Sequence, residues 1–298
     1  MKVLVTGAAG FIGSHIVEEA LSRGHEVHGI DNLSTGKSSN VDERCDLVVA
    51  DIRTADFEEL FGKVDAIFHT AAMARIQPSF KNPIDYHSVN VQGTLRLIKY
   101  ALESNAKLIF SSSSSVYGVQ GRLSMPMDES YPLNPSSPYA IQKLFCEKYM
   151  DIFSRHDKLR YVALRYFNVY GPRQAREGDY AAVVGIFMNQ FKDGKQFTVY
   201  GDGKQRRDFT FVKDVAIANL MAMESEVEEG VYNIGSGVNH SIEDIANYVS
   251  EENGIQYLAA RKGEALESLA DYRRAFTDFG WKPETRINIW IKDAVAHS

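Results

Sequence analysis

Cysteine, long apolar runs and clustered positive charge are all scarce in this chain, and each scarcity closes off a class of protein. The two cysteines, Cys45 and Cys146, show neither a CxxC pattern nor metal-ligand spacing. That suits a reducing compartment, and neither a structural disulfide nor a metal site is expected. No apolar run reaches the roughly 18 to 20 residues that cross a bilayer, so no membrane partner is expected. The opening Met1-Lys2-Val3-Leu4-Val5-Thr6-Gly7 breaks its apolar run with glycine too early for a signal peptide. These features predict a cytoplasmic protein. No Lys/Arg-rich stretch is long enough to track a phosphate backbone, and the formal net charge is −6, which argues against nucleic acid. A few local arginines can still hold a small anionic ligand. Internal repeats and low-complexity tracts are missing as well.

What is present is the profile of an ordinary globular chain, 44% hydrophobic and 24% charged. Its 298 residues suffice for one large domain, or a large domain and a small one. The first half alternates short β-branched runs with longer helical patterns. Lys2–Thr6 and the stretches 26–30, 47–50, 64–69, 107–110 and 160–164 read as strands. Ile16, Val17, Ala20 and Leu21 lie on one helical stripe, and longer helical patterns run over about 83–104 and 138–155. This alternation predicts an α/β fold with a doubly wound parallel sheet of the Rossmann type. Beyond Tyr170 it breaks down, and glycines and charges cluster in 171–180 and 201–208. The chain is therefore expected to divide into a dinucleotide-binding domain (1–170) and a smaller substrate-binding region (171–298). Some late segments are expected to return to the sheet.

Gly7-Ala8-Ala9-Gly10-Phe11-Ile12-Gly13 follows the first strand and opens the first helix. One glycine suits a tight turn, one a close backbone approach to a pyrophosphate, and one close packing of helix on strand. The anion would sit at the helix's positive end. Glycines punctuate many loops, so the triplet is weak alone. Asp31 ends the second strand eighteen residues after Gly13, where a carboxylate accepts hydrogen bonds from an adenosine ribose and repels a 2′-phosphate. Asp31-Asn32 is also plain turn chemistry. Together, glycine turn, helix and acidic strand end predict NAD rather than NADP. Asp51-Ile52 and His69-Thr70-Ala71-Ala72 fall at the same sheet edge.

Tyr139 and Lys143 are four apart on a helical pattern, and so one turn apart on one face. An isolated tyrosine is only about one part in a thousand phenolate at neutral pH. A neighbouring ammonium and an oxidised nicotinamide ring would favour the phenolate and make a base of it. Such pairs are common by chance. Upstream, however, Phe110-Ser111-Ser112-Ser113-Ser114-Ser115-Val116-Tyr117-Gly118 brings hydroxyls to the end of the fifth strand.

On these residues the chain resembles the sugar-nucleotide epimerases and dehydratases of the extended short-chain dehydrogenase/reductase family. The matching stretches are 6–13, Asp31-Asn32, 69–72, Asn90-Val91-x-Gly93-Thr94, 111–118, 139–143, LRYFNVYGPR at 164–173, GDGKQRRDF at 201–209 and YNIGSG at 232–237. The resemblance implies that Ser113 is the catalytic hydroxyl, Tyr139 the base, and Lys143 the ribose-binding lysine that tunes it. It implies a cofactor site of Gly7, Gly10, Phe11, Ile12, Gly13, Asp31, Asn32, Ser34, Gly36, Asp51, Ile52, Ala71, Ala72 and Asn90, with Tyr139 and Lys143. Asn168, Arg207 and Arg261 resemble ligands of the substrate diphosphate, a role that suits the forked guanidinium. Lys262 replaces the proline often found beside that last arginine. Arg173 and Arg206 read as exposed or structural, and Asp208 as a buttress for one of the arginines. Ser268 falls at the wall position that limits substituent size in related epimerases. The helices over 83–104 and 138–155 resemble the pair through which relatives form homodimers.

The family's shared first step removes a hydroxyl proton and a hydride to give a 4-keto sugar. Dehydratases of the family carry Thr-Asp-Glu where this chain has Ser113-Ser114-Ser115, so elimination of water is not expected. A decarboxylase would need a dedicated carboxylate ligand, and none stands out. The favoured expectation is 4-epimerisation of a nucleotide sugar: UDP-glucose/UDP-galactose, extending to UDP-GlcNAc/UDP-GalNAc if Ser268 opens the wall. Uridine is favoured by family frequency alone. The alternatives are another sugar-nucleotide chemistry (a UDP-glucuronate epimerase or decarboxylase, or a 4-keto reductase) and, from a different class, a non-catalytic NAD(H) sensor.

Overall fold

The computed structural model describes residues 1–119, 125–178, 181–260 and 266–297. In its first part β1 (Lys2–Thr6), β2 (Glu26–Asp31), β3 (Asp46–Val49), β4 (Ala66–His69), β5 (Lys107–Ser113) and β6 (Tyr161–Tyr166) are the strands. Between them lie α1 (Phe11–Ser22), α2 (Phe57–Phe61), α3 (Ile76–Lys81), α4 (Pro83–His87), α5 (Gly93–Ser104) and α6 (Pro138–Asp157). The helix expected over 83–104 is α4 and α5 joined by a π-helical turn at Ser88–Gln92. The later elements are β7 (Val169–Tyr170), α7 (Val183–Lys192), β8 (Phe197–Tyr200), β9 (Arg206–Asp208), β10 (Thr210–Phe211) and α8 (Val212–Glu224). They continue with β11 (Glu229–Ile234), β12 (Asn239–Ser241), α9 (Ile242–Val249), β13 (Ile255–Leu258), α10 (Arg273–Phe279) and α11 (Ile287–Ala296).

Seven strands form one parallel sheet in the order β11-β6-β5-β4-β1-β2-β3. β1 pairs on one side with β2 (Val3 beside Val27) and on the other with β4 (Val3 beside Ala66). The winding reverses between β1 and β4, so the loops after these two strands part and leave a crevice at their carboxyl ends. The seventh strand, β11, lies past residue 170, as does α8, which packs on α1.

Burial explains why the strands read as unbroken apolar runs: both faces of the sheet are covered. Val3 and Val5 point into a core with Ile16, Val17, Leu220 and Trp281. Leu4 points the other way, into a core with Ile67, Leu97, Leu108 and Met150. A third core, around Tyr170, Phe187, Phe197, Phe211, Ile245 and Ile291, holds the late elements together. Among the described residues no helix is long and apolar enough to cross a membrane, and no group of three His, Cys, Asp or Glu side chains is placed to hold a metal. Both cysteines are buried and unpaired.

Candidate active site

The glycine turn is tight because its neighbours leave no room. A Cβ on Gly13 would lie 2.0 Å from the Gly7 carbonyl oxygen, and Gly7, at φ +70°, would meet the Ala71 nitrogen at 2.8 Å. Only glycine fits either place. Gly10 precedes α1 with no side-chain cap, and the helix carries no acidic residue in its first turn. Its first N–H groups and the dipole's positive end are therefore left to a ligand. This cradle suits a pyrophosphate, and NAD fits it.

A buried histidine fixes the loop opposite. Thr94 donates its hydroxyl proton to the Asn90 carbonyl at 2.6 Å, so it must accept from His69 Nε2 at 2.9 Å. His69 Nδ1 then accepts from the Thr6 hydroxyl at 2.8 Å, and Thr6 Oγ1 in turn accepts from the Ala71 N–H at 3.2 Å. Burial pushes the His69 pKa down to about 3, with the Lys143 charge acting in the same direction, so the ring stays neutral. The chain of bonds ties β1, β4 and α5 together and sets Ala71 against Gly7.

At the end of β2, Asp31 accepts from the Ala9 N–H at 3.0 Å and the Leu33 N–H at 2.8 Å. Each carboxylate oxygen keeps a lone pair that a ribose hydroxyl can use. Asp51, held well ionised by its hydrogen bonds from Arg53, has its pKa lowered to about 2 and accepts from Asn32 Nδ2 at 3.3 Å. Gly7, Gly10, Phe11, Ile12, Gly13, Asp31, Asn32, Ser34, Asp51, Ile52, Ala71 and Ala72 all line one cleft of about 1490 Å³. That exceeds the space a single small ligand takes and suits a dinucleotide beside a second nucleotide.

Three residues carried over as cofactor ligands, Gly36, Asn90 and Lys143, stand back from this wall. Gly36 packs against Ala9, whose backbone a Cβ there would meet at 2.8 Å. Asn90 spends its amide on the Met73 N–H (2.8 Å), the Met73 carbonyl (3.0 Å) and Gln142 Oε1 (3.0 Å). These contacts hold Gly36 and Asn90 in place.

The serine run is not a loop. Ser111 to Ser113 extend β5, and Ser113 closes it by accepting from the Ser115 N–H at 3.2 Å. Ser112 donates to Glu147 Oε1 at 2.5 Å, and Glu147 holds Arg165 in a buried ion pair at 2.7 Å. This pairing anchors α6 to β5 and β6. Ser137 caps α6, Pro138 fills its first position, and Tyr139 follows within the first turn, where the dipole favours an anion. Tyr139 and Ser113 share the cleft wall. Burial raises the Tyr139 pKa, while the Ser113 hydroxyl and the Arg75 guanidinium work to lower it.

Lys143 sits one turn further and behind that wall. Its Nζ donates to the Ser111 carbonyl at 2.7 Å and lies 4.7 Å from the Phe110 ring centre and 5.9 Å from that of Tyr139. Burial pulls its pKa down to about 8.

The far end of the cleft carries Asn168, Arg207 and Ser268. Asn168 donates to the Asp208 carbonyl at 2.9 Å, and Arg207 to the Arg206 carbonyl at 2.9 Å. Arg261 lies outside the described residues. Arg206 is structural, bonded through Nε to Asn239 Oδ1 at 2.8 Å, and Arg173 ties Ser14 and Glu18 to the cleft rim. Asp208, fully buried, accepts from the backbone of Ser236, Gly237 and Ala270 and so joins two loops.

The model of the NAD dependent epimerase/dehydratase family matches residues 3–235. The chain belongs to this family. It is 38% identical to the putative UDP-glucose 4-epimerase of Methanocaldococcus jannaschii, covering 98% of this chain and 97% of that protein. Among solved structures it resembles the UDP-N-acetylglucosamine 4-epimerase of Methanobrevibacter ruminantium in complex with UDP-N-acetylmuramic acid. There the TM-score is 0.93 and the identity 38%, over 99% and 97% of the two chains. It also resembles the Thermus thermophilus UDP-glucose 4-epimerase complexed with NAD, with TM-score 0.91 and 35% identity over 100% and 98%.

Proposed function

We propose that this protein is an NAD-dependent 4-epimerase of UDP-hexoses, working through a transient 4-keto sugar. The observation that carries the reading is convergence: Ser113 and Tyr139, with Lys143 behind them, meet a glycine cradle for NAD in one cleft with room for a second nucleotide. Bound NAD supplies the acceptor for the hydride that leaves the sugar carbon. Ser113 orients the reacting hydroxyl by hydrogen bonding, and Tyr139 takes its proton. Lys143 supports the phenolate from behind. Asn168 and Arg207 hold the diphosphate, so that a loosely held sugar can turn about its link and present the other face. No carboxylate stands at 113–115 to eliminate water.

Ser268 is part of this reading. Its small side chain on the cleft wall leaves space for a 2-acetamido group in either orientation of the turning sugar. A homodimer is a further part. Phe80, Ile84, Phe145, Tyr149 and Ile152 are exposed on the α3, α4 and α6 side, with Phe145, Tyr149 and Ile152 spaced on one face of α6.

The test is a panel of UDP-hexoses followed by NMR. Inversion at C4 is expected for UDP-glucose and UDP-galactose, with Tyr139→Phe slower by at least about a hundredfold. A decarboxylated or dehydrated product, or a folded Tyr139→Phe with near-normal turnover, contradicts the reading.

A further inference from the structure

Arg75 lines the same cleft as Tyr139, in a stretch whose neighbours, HTAA at 69–72, carry the cofactor loop. Its backbone is at φ +90° and ψ 141°, a conformation that L side chains rarely adopt. Such strain persists only where surrounding structure holds it, and it gathers at working sites. The holding groups are identifiable. Asn90 clamps Met73 on both sides of its peptide and reaches Gln142 on α6, and the buried Tyr86 donates to the Ala74 carbonyl at 2.6 Å. Immediately after Arg75, α3 begins. One turn along it, Ser79 accepts from the backbone N–H of Tyr139 at 3.2 Å. The same short segment thus touches the start of α6 and carries a guanidinium into the cleft.

We propose that Arg75 is a second cation of the catalytic centre, held by its strained loop so that its charge favours the Tyr139 phenolate. It is a positioning residue for charge, since it acts through Tyr139, and the inference deepens the epimerase reading on which it rests. Its value lies in permanence. Lys143, with a pKa near 8, loses its ammonium proton at moderately alkaline pH, whereas a guanidinium keeps its own. Burial does lower the Arg75 pKa, with the tyrosines Tyr139 and Tyr86 opposing, but from a far higher starting value. Among the described residues, the titratable groups around Tyr139 are Arg75 and Tyr86 on the α3–α4 side, Tyr166 on β6, and Lys143 on its own helix. Cys146, Glu147 and His69 stand behind Lys143. Both cations, Arg75 on the cleft wall and Lys143 behind it, favour the phenolate, and Arg75 keeps its charge where Lys143 loses its own.

The experiment is an ultraviolet difference titration of the NAD-loaded protein, which reads the Tyr139 phenolate band as each Arg75 form minus the same form carrying Tyr139→Phe. Arg75→Met and Arg75→Gln are both expected to raise the Tyr139 ionisation by about one pH unit, and Arg75→Lys to leave it near wild type. The acid limb of kcat is expected to move with it, with KM little changed. An unmoved Tyr139 ionisation in whichever neutral variant folds would overturn the proposal. Because the titration needs no sugar, a wild type inert toward every UDP-hexose would sink the epimerase reading while leaving the Arg75 result to be read separately.

Discussion

At position 143 the chain buries an ammonium that donates to the Ser111 carbonyl, and burial pulls its pKa down to about 8. In the unfolded chain a lysine holds its proton to about pH 10.4. Between about pH 8 and 10.4 the unfolded state therefore binds more protons than the native one, and this residue makes stability rise with pH across that window. Below pH 8 it is a liability on the order of 3 kcal/mol. Lys143→Met, which keeps the volume and drops the charge, is expected to raise the melting temperature at pH 7 while cutting turnover at least about a hundredfold. The stability gain should shrink as the pH passes from 8 towards 10. Thermal melts across pH, with rates alongside, check both; a variant less stable than wild type at pH 7 contradicts the argument.

Ser268 poses the opposite question, of space rather than charge. Ser268→Tyr is expected to remove activity on UDP-N-acetylhexosamines while sparing UDP-glucose and UDP-galactose, because a phenol on the wall obstructs the acetamido group as the sugar turns. Parallel rate measurements on the two substrate classes decide it. Equal loss of both would show that the wall at 268 does not select.

Elements explain why some of this was legible in the sequence and some was not. Strands buried on both faces are mostly apolar, so β1, β4, β6 and the start of β5 announce themselves as short runs, and the glycine turn follows because its spacing answers to sterics. Which residues line a cleft and which hold the lining in place depends on tertiary contacts that spacing does not encode. The packing of Gly36 on Ala9, the clamp of Asn90 on Met73 and the joining of two loops by Asp208 are contacts of this kind, and no motif announces them. Arg75 gave no periodic signal at all, being a single charge in a loop. The exposed strip on α6 is an element-scale feature in the same sense: Phe145, Tyr149 and Ile152 recur at helical spacing yet face outward. Light scattering is expected to find a dimer, and Phe145→Asp with Tyr149→Asp a monomer. A wild-type monomer at micromolar concentration would contradict this use of the strip.

For the molecule as a whole, the arrangement makes sense as a device that takes a hydride from a sugar and gives it back. The reversal of the winding between β1 and β4 opens the crevice. α1 and the β4 loop line one end of the cleft, β5 and α6 bring Ser113 and Tyr139, the groups proposed for proton transfer, and the late elements carry Asn168 and Arg207, the proposed diphosphate ligands, in the same cleft. One measurement tests that claim most directly. UDP-galactose labelled with deuterium at C4 would be converted in ordinary water, with the product followed by NMR and absorbance at 340 nm. The label is expected to remain at C4 of UDP-glucose, with no steady accumulation of NADH, because the hydride removed is the one returned. Loss of the label to solvent, or NADH accumulating in step with product, would contradict the account.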